Sequence, residues 1–297
     1  MKQGILNPQA VKGQVIKLDK LSCSPRIAIQ IMNFLENPNP SITNLAQWIS
    51  LDQILTARLL KLANSHHYGV SGQISTLNLA IITVGLQALK DLLTGITVID
   101  QFSDAGYVLS EKEPVLYSHS ATVGEGARQL SSLVGYPTSG EAFVAGLMHD
   151  LGHQVLAQEY PENFAIISRH ARTQGIPRYQ AEREILGYHH GDVGSWLARS
   201  WNFPPIIVSV IEHHHKPEKA IEHQDIVRLI HLANLLSHSM QFTSGKDFQN
   251  KSDLEEEILA KFKDYFSING RRLKDFQVLF KNENQKSNLL TLSDISA

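Results

Sequence analysis

The stretch Ala145-Gly146-Leu147-Met148-His149-Asp150-Leu151-Gly152 sets an imidazole directly beside a carboxylate inside an apolar run. Two such groups can share one divalent ion. Working outward, His119 lies 30 residues before His149, His190 lies 41 after it, and His213-His214-His215 follows. Four separate segments can therefore be folded onto a single metal. Each piece also has a plainer reading. Among 14 histidines chance clusters occur, and an isolated His119 or His190 is ordinarily a hydrogen-bonded helix residue. His213-His214-His215 alone would be a solvated helix end, and His189-His190, beside Gly187 and Gly191, a turn. The combination, rather than any one spacing, points to a metal site.

Composition bounds the rest. A chain of 297 residues, 42% hydrophobic, buries a sizeable core as one large domain or two smaller ones. With a net charge of -2 there is no general electrostatic attraction to nucleic acid or to an anionic membrane, so neither is expected as a partner and any nucleotide must be held locally. Cys23 is the only cysteine, which excludes an internal disulfide. The first 25 residues lack the apolar core of a signal peptide, so a reducing cytoplasm is the expected address. No unbroken run of roughly 18 apolar residues suggests a membrane span. Gly-x-x-x-x-Gly-Lys-[Ser/Thr], His-Glu-x-x-His, Gly-x-Ser-x-Gly and Cys-x-x-Cys are all absent.

Apolar residues recur at three- and four-residue spacing almost throughout, and alternating strand patterns are missing. The fold class is predicted to be all-α. Pro25 opens a helix with Ile27, Ile31, Phe34 and Leu35 inward. Ser41 or Thr43 caps the next, with Leu45, Trp48 and Ile49 inward, and Asp52 caps a third that Asn64 closes. Further helices are expected over 75–84 and 85–101, either side of Gly85, with residues 106–114 connecting to a second set. That set comprises 115–134, 139–158, 161–173, 178–187, 189–201, 204–215 and 224–241. One more amphipathic helix is expected at 253–266, ahead of a polar tail.

Two groups of motifs resemble the HDOD domains, bacterial signalling output modules related to HD-type metal-dependent phosphohydrolases. The first is Asp52-Gln53-Ile54-Leu55-Thr56-Ala57-Arg58-Leu59-Leu60-Lys61-Leu62-Ala63-Asn64-Ser65 with Ala80-Ile81-Ile82-Thr83-Val84-Gly85-Leu86. The second takes in His119, His149-Asp150, Gly187-Tyr188-His189-His190-Gly191-Asp192, Trp201-Asn202-Phe203-Pro204 and His214-His215-Lys216-Pro217. The resemblance covers about residues 18–240. It implies an HDOD domain at 15–240, made of an amino-terminal helical lobe (15–105) and an HD-like bundle (115–240), followed by a helical extension and tail at 241–297. It also implies a metal set of His119, His149, Asp150, His190, His214 and His215.

Departures from the enzymes are equally specific. Asn234 stands where they carry their last ligand, an aspartate, and a neutral amide is the poorer donor. His153 replaces a lysine, Val115 a glutamate, and Lys216-Pro217-Glu218-Lys219 a Gly-Tyr-Pro-containing loop. The remaining set suits Fe, Zn, Ni or Mn and would leave the site net positive, favouring a bound phosphate or nucleotide over its turnover. Two readings follow: a signalling module that binds a partner protein or ligand, or an active phosphohydrolase acting on a nucleotide or cyclic dinucleotide. The second needs a further carboxylate, with Glu184, Asp192 and Glu212 as candidates. A third reading has the histidines merely hydrogen-bonded in a closed scaffold.

Overall fold

The structure, a computed structural model, describes residues 7–19, 21–37, 39–68, 72–102, 113–240 and 251–266. Among these every regular element is helical. First among the described helices is α1 (Pro8–Val15), followed by a first set made of α2 (Pro25–Phe34), α3 (Ile42–Ser50), α4 (Gln53–Ala63) and α5 (Leu77–Phe102). Then come α6 (Glu113–Val134), α7 (Ser139–Met148), α8 (Leu151–Glu159), α9 (Pro161–Gln174), α10 (Arg178–Leu186), α11 (His190–Ser200), α12 (Pro205–His213), α13 (Gln224–Met240) and α14 (Lys251–Phe266). The expected connection at 106–114 lies mostly outside the described residues, as does the polar tail.

Local chemistry explains the boundaries. Ser24 accepts from Ile27 N with Pro25 in the first turn, and Ser41, not Thr43, accepts from Asn44 N. Asp52 accepts from Ile54 N and Leu55 N, and also from Ser24 N at 2.6 Å, so one carboxylate ties the starts of α2 and α4 together. Asn64 ends α4 by donating to Leu60 O and Ile74 O while accepting from Ile74 N. At Gly85, φ 79° and ψ 161° kink α5, a conformation open to glycine alone among common residues.

Around α5 pack α2, α3 and α4, while α6, α7 and α13 form the centre of the second set, flanked by α8, α11 and α12. One contiguous core runs through both, from Leu59, Leu60 and Ile81 to Leu147, Val193 and Leu232. The helix α1 was not anticipated. It packs on α11, and the segment after it is clamped where Trp201 Nε1 donates to Leu18 O and Ser22 exchanges two hydrogen bonds with Gln158. Within α5, Leu77–Ile96 has a mean hydropathy of 1.5, enough by length and composition to cross a membrane. Asn78, Gln87, Lys90 and Asp91 break up that stretch, so no unbroken apolar run exposed it in the sequence.

Two boundaries differ from expectation in ways that matter. The helix predicted over 139–158 is broken: α7 stops at Met148, α8 starts at Leu151, and His149 and Asp150 form the turn. Close packing on both sides fixes this break. A Cβ on Gly146 would lie 2.8 Å from Gly124 Cα, and one on Gly152 would lie 1.9 Å from His190 O. The backbone of α7 thus presses against α6, and that of α8 against α11. Gln53 Nε2, from the amino-terminal lobe, donates to Leu147 O at 2.7 Å beside the break. Likewise α12 ends at His213, so His214 and His215 lie beyond the helix that was predicted to contain them.

Gly152→Ala is expected to destabilise the fold by about 3 kcal/mol, because its methyl has no room to go. Gly175→Ala, at a left-handed helix end with open space around it, should cost only about 1–2 kcal/mol. Denaturant unfolding of the two variants checks the difference.

Candidate metal centre

Four segments deliver side chains to one buried cluster. α6 carries His119, the α7–α8 turn carries His149 and Asp150, α11 opens with His190, and the chain beyond α12 supplies His214 and His215. Asp150 is at the middle. Its Oδ1 lies 3.2 Å from His190 Nε2 and 3.5 Å from His214 Nε2, while Oδ2 lies 3.4 Å from His149 Nε2 and 3.7 Å from His119 Nε2. His215 Nε2 is 3.0 Å from His190 Nε2. One donor atom from each of Asp150, His190, His214 and His215 falls within 4.8 Å of the others, and so does one from each of His119, His149 and Asp150. His213 stays outside, beside Glu212.

The far side of each ring explains its orientation. His149 Nδ1 is 2.7 Å from Gly146 O, and His214 Nδ1 is 3.1 Å from Ile211 O. A carbonyl can only accept, so both rings carry a proton on Nδ1 and turn the Nε2 lone pair towards Asp150. His190 Nδ1 is 2.7 Å from Glu182 Oε2, which also accepts from His190 N at 2.8 Å. This is the outer carboxylate that commonly fixes a metal-ligating histidine.

Charge follows from that layout. Burial pushes His149 down to about 4 and holds His119, His153 and His215 well below the ordinary imidazole range. Burial alone would raise Asp150, but the neighbouring imidazoles His149 and His153 and a hydrogen bond from His190, with the His214 ring beside it, hold it well below a usual carboxylate. For His190, burial opposes the charge, but Glu182 and Asp150 outweigh it and push the ring up to about 10. Once His190 gives up its proton, neutral imidazoles around an ionised carboxylate are the protonation state that metal binding requires. His149 Nε2 is buried without a hydrogen-bond partner, facing Asp150. Lone pairs aimed at a carboxylate call for a cation between them. The residues fit a divalent ion.

Asn234, on α13, stands beside His119 with its Oδ1 buried. The three carboxylates named from sequence as substitutes do not come to the cluster. Glu184 pairs with His170 at 2.7 Å, Asp192 caps α11 by accepting from His189 N, and Glu212 pairs with Arg199. The buried acid next to the cluster is Glu182, fully covered, with its Oε1 3.3 Å from His153 Nδ1. A signal for it existed: Glu182 falls on the stripe of α10 that Ala181 and Leu186 bury, where a charge needs a partner.

Residues 21–217 match the HDOD domain. The chain belongs to the HDOD family. A curated relative of this HDOD protein, described as an uncharacterized protein of Treponema pallidum (strain Nichols), is 26% identical over 235 residues, 77% of this chain. The match spans 44% of that relative's length. Among solved structures, a virulence factor from Campylobacter jejuni subsp. jejuni superposes with a TM-score of 0.69 at 20% identity, covering 92% of this chain and 96% of that one. MmoQ, a response regulator from Methylococcus capsulatus str. Bath, gives 0.68 at 21% identity, covering 87% and 98%. At such identities the likeness establishes the HDOD fold.

The depressed imidazoles set the acid limb of stability. Between pH 6.5 and about 4 the unfolded chain takes up protons that folded His149 and His231, itself pushed down to about 4 by burial, refuse. Stability should therefore fall as pH drops through that window. His190 acts in the opposite sense: its contribution is complete below pH 6.5 and lost as pH rises through about 10. Thermal unfolding of metal-stripped protein across pH 4–7 should show the fall, with a shallower slope in His149→Gln.

Proposed function

We propose that this HDOD protein is a signal-transduction output module that binds a protein partner or a small ligand, and that its HD-derived centre holds one divalent ion without supporting efficient turnover. His119, His149, Asp150, His190, His214 and His215 would be the ligands, and Fe, Zn, Ni and Mn are the candidate ions. Bound there, such an ion would act as a Lewis acid on a phosphoryl oxygen. The observation that carries the reading is Asn234. In this reading it takes the enzymes' carboxylate position, beside His119, as a neutral amide, so one negative charge is missing from the centre. Five neutral rings and Asp150 leave a divalent ion net positive, a state that retains an anion. The buried Cys23, the single thiol, suits a reducing cytoplasm.

The rival, an active phosphohydrolase on a nucleotide or cyclic dinucleotide, has one feature in its favour. Glu182 is a fully buried carboxylate against the cluster. Both of its oxygens, however, face ring nitrogens on the outer side, Oε2 towards His190 Nδ1 and Oε1 towards His153 Nδ1, which makes it an orienting group.

Metal analysis of protein purified without a His tag tests the reading. Asn234→Asp should raise metal content and Asp150→Ala should abolish it. Glu182→Ala should weaken affinity roughly 10–100-fold, and added Mn or Zn should raise the melting temperature of wild type but not of Asp150→Ala. Hydrolysis of cyclic-di-GMP at roughly 1 per second or faster, lost in Asp150→Ala, would replace this reading with the rival.

A further inference from the structure

Beyond the imidazole cluster, on the outer side of His215, lies a cavity of about 160 Å³ between α10, the start of α11 and the turn after α12. Three cations line it: Arg183, Lys216 and Lys219. None of them makes an ion pair with a carboxylate within 4.0 Å among the described residues. Two acids share the wall, but both are engaged elsewhere: Asp192 Oδ2 accepts from His189 N at 2.9 Å, and Glu212 pairs with Arg199. The balance in the cavity is therefore positive. His189, itself buried, adds a neutral donor. Its Nδ1 accepts from Gly191 N at 2.9 Å, which leaves the ring proton on Nε2.

We propose that this cavity is a binding subsite for one phosphoryl group, held by Arg183, Lys216 and Lys219 and by the His189 ring. It deepens the ligand-binding role proposed above and rests on it. Size limits the ligand: pockets for whole drug-sized or cofactor-sized molecules run from roughly 300 Å³ upward, so this one admits a phosphoryl group and leaves the rest of an ester outside. Arg183 supplies a planar fork matched to two phosphate oxygens, while the lysines act as point charges. Position gives the subsite its use. His215 belongs both to this wall and to the cluster, with its Nε2 3.0 Å from His190 Nε2, so an anion here sits against the metal centre. None of the three cations belongs to the proposed metal set, and with Arg183 and Lys219 exposed and Lys216 half-buried, substitution leaves the core untouched.

The test uses inorganic phosphate as probe on the full chain, by calorimetric titration at low ionic strength, with protein both metal-stripped and Mn-loaded. Phosphate should bind the stripped protein, and Lys216→Ala and Arg183→Ala should each weaken it at least fivefold. Arg172→Ala, on the exposed side of α9, should not. A nucleoside 5′-monophosphate arm separates the sources: tighter binding than phosphate assigns the subsite to an ester, and equal or weaker binding assigns it to the free anion. No binding by the stripped protein at 10 mM, or binding only with metal that neither Arg183→Ala nor Lys216→Ala alters, would overturn the proposal. Metal content measured on the same samples reports on the centre separately. A wild type without metal that still binds phosphate through Arg183 and Lys216 would retain the subsite and sink the metal reading.

Discussion

A carboxylate taken out of water is among the most costly things a fold can hold, and Asp150 is held 9% exposed at the meeting point of four segments. Its neighbours are arranged around that cost. Imidazoles surround both oxygens, and His190 stays charged because Glu182 supports it from the opposite side. The backbone carbonyls of Gly146 and Ile211 dictate which ring nitrogen faces inward at His149 and His214. Removing one member leaves others uncompensated, since a half-satisfied buried polar network costs more than an apolar replacement. The helix break at His149 and Asp150 belongs to the same constraint, for a straight helix would carry the carboxylate away from α11.

Much of this was legible from residue order. Ser24, Ser41 and Asp52 announced their helices as caps, and Asn64 its helix end, because short polar side chains beside an apolar run have few other uses. The cluster too was legible as a set of residues, since an adjacent His and Asp with distant histidines constrain one another once the segments are helical. What stayed hidden depends on approach distance. That α7 and α8 are separate helices follows from Gly152 lying against the His190 carbonyl, a contact between segments some forty residues apart. Glu182 was passed over for Glu184, Asp192 and Glu212 because spacing does not tell a buried glutamate from a solvated one two residues on. Helix α1 was missed because its short, weakly apolar sequence draws its order from packing on α11.

The two sets of helices meet through few polar bonds, and one of them lies beside the centre. Gln53, 1% exposed at the start of α4, gives its amide proton to Leu147 O, two residues before His149. The glutamine belongs to the first group of motifs that resembles the HDOD domains, and its acceptor lies just ahead of the His149–Asp150 pair of the second.

That single hydrogen bond has a thermodynamic corollary. Linkage is reciprocal: if a body seated on the amino-terminal lobe shifts Gln53 and so changes the affinity of the His149–Asp150 turn for its ligand by some factor, the ligand changes the grip of the lobe on that body by the same factor. Such coupling requires no turnover at the centre, only that the amino-terminal helices and the turn share an atom pair through which each feels the other.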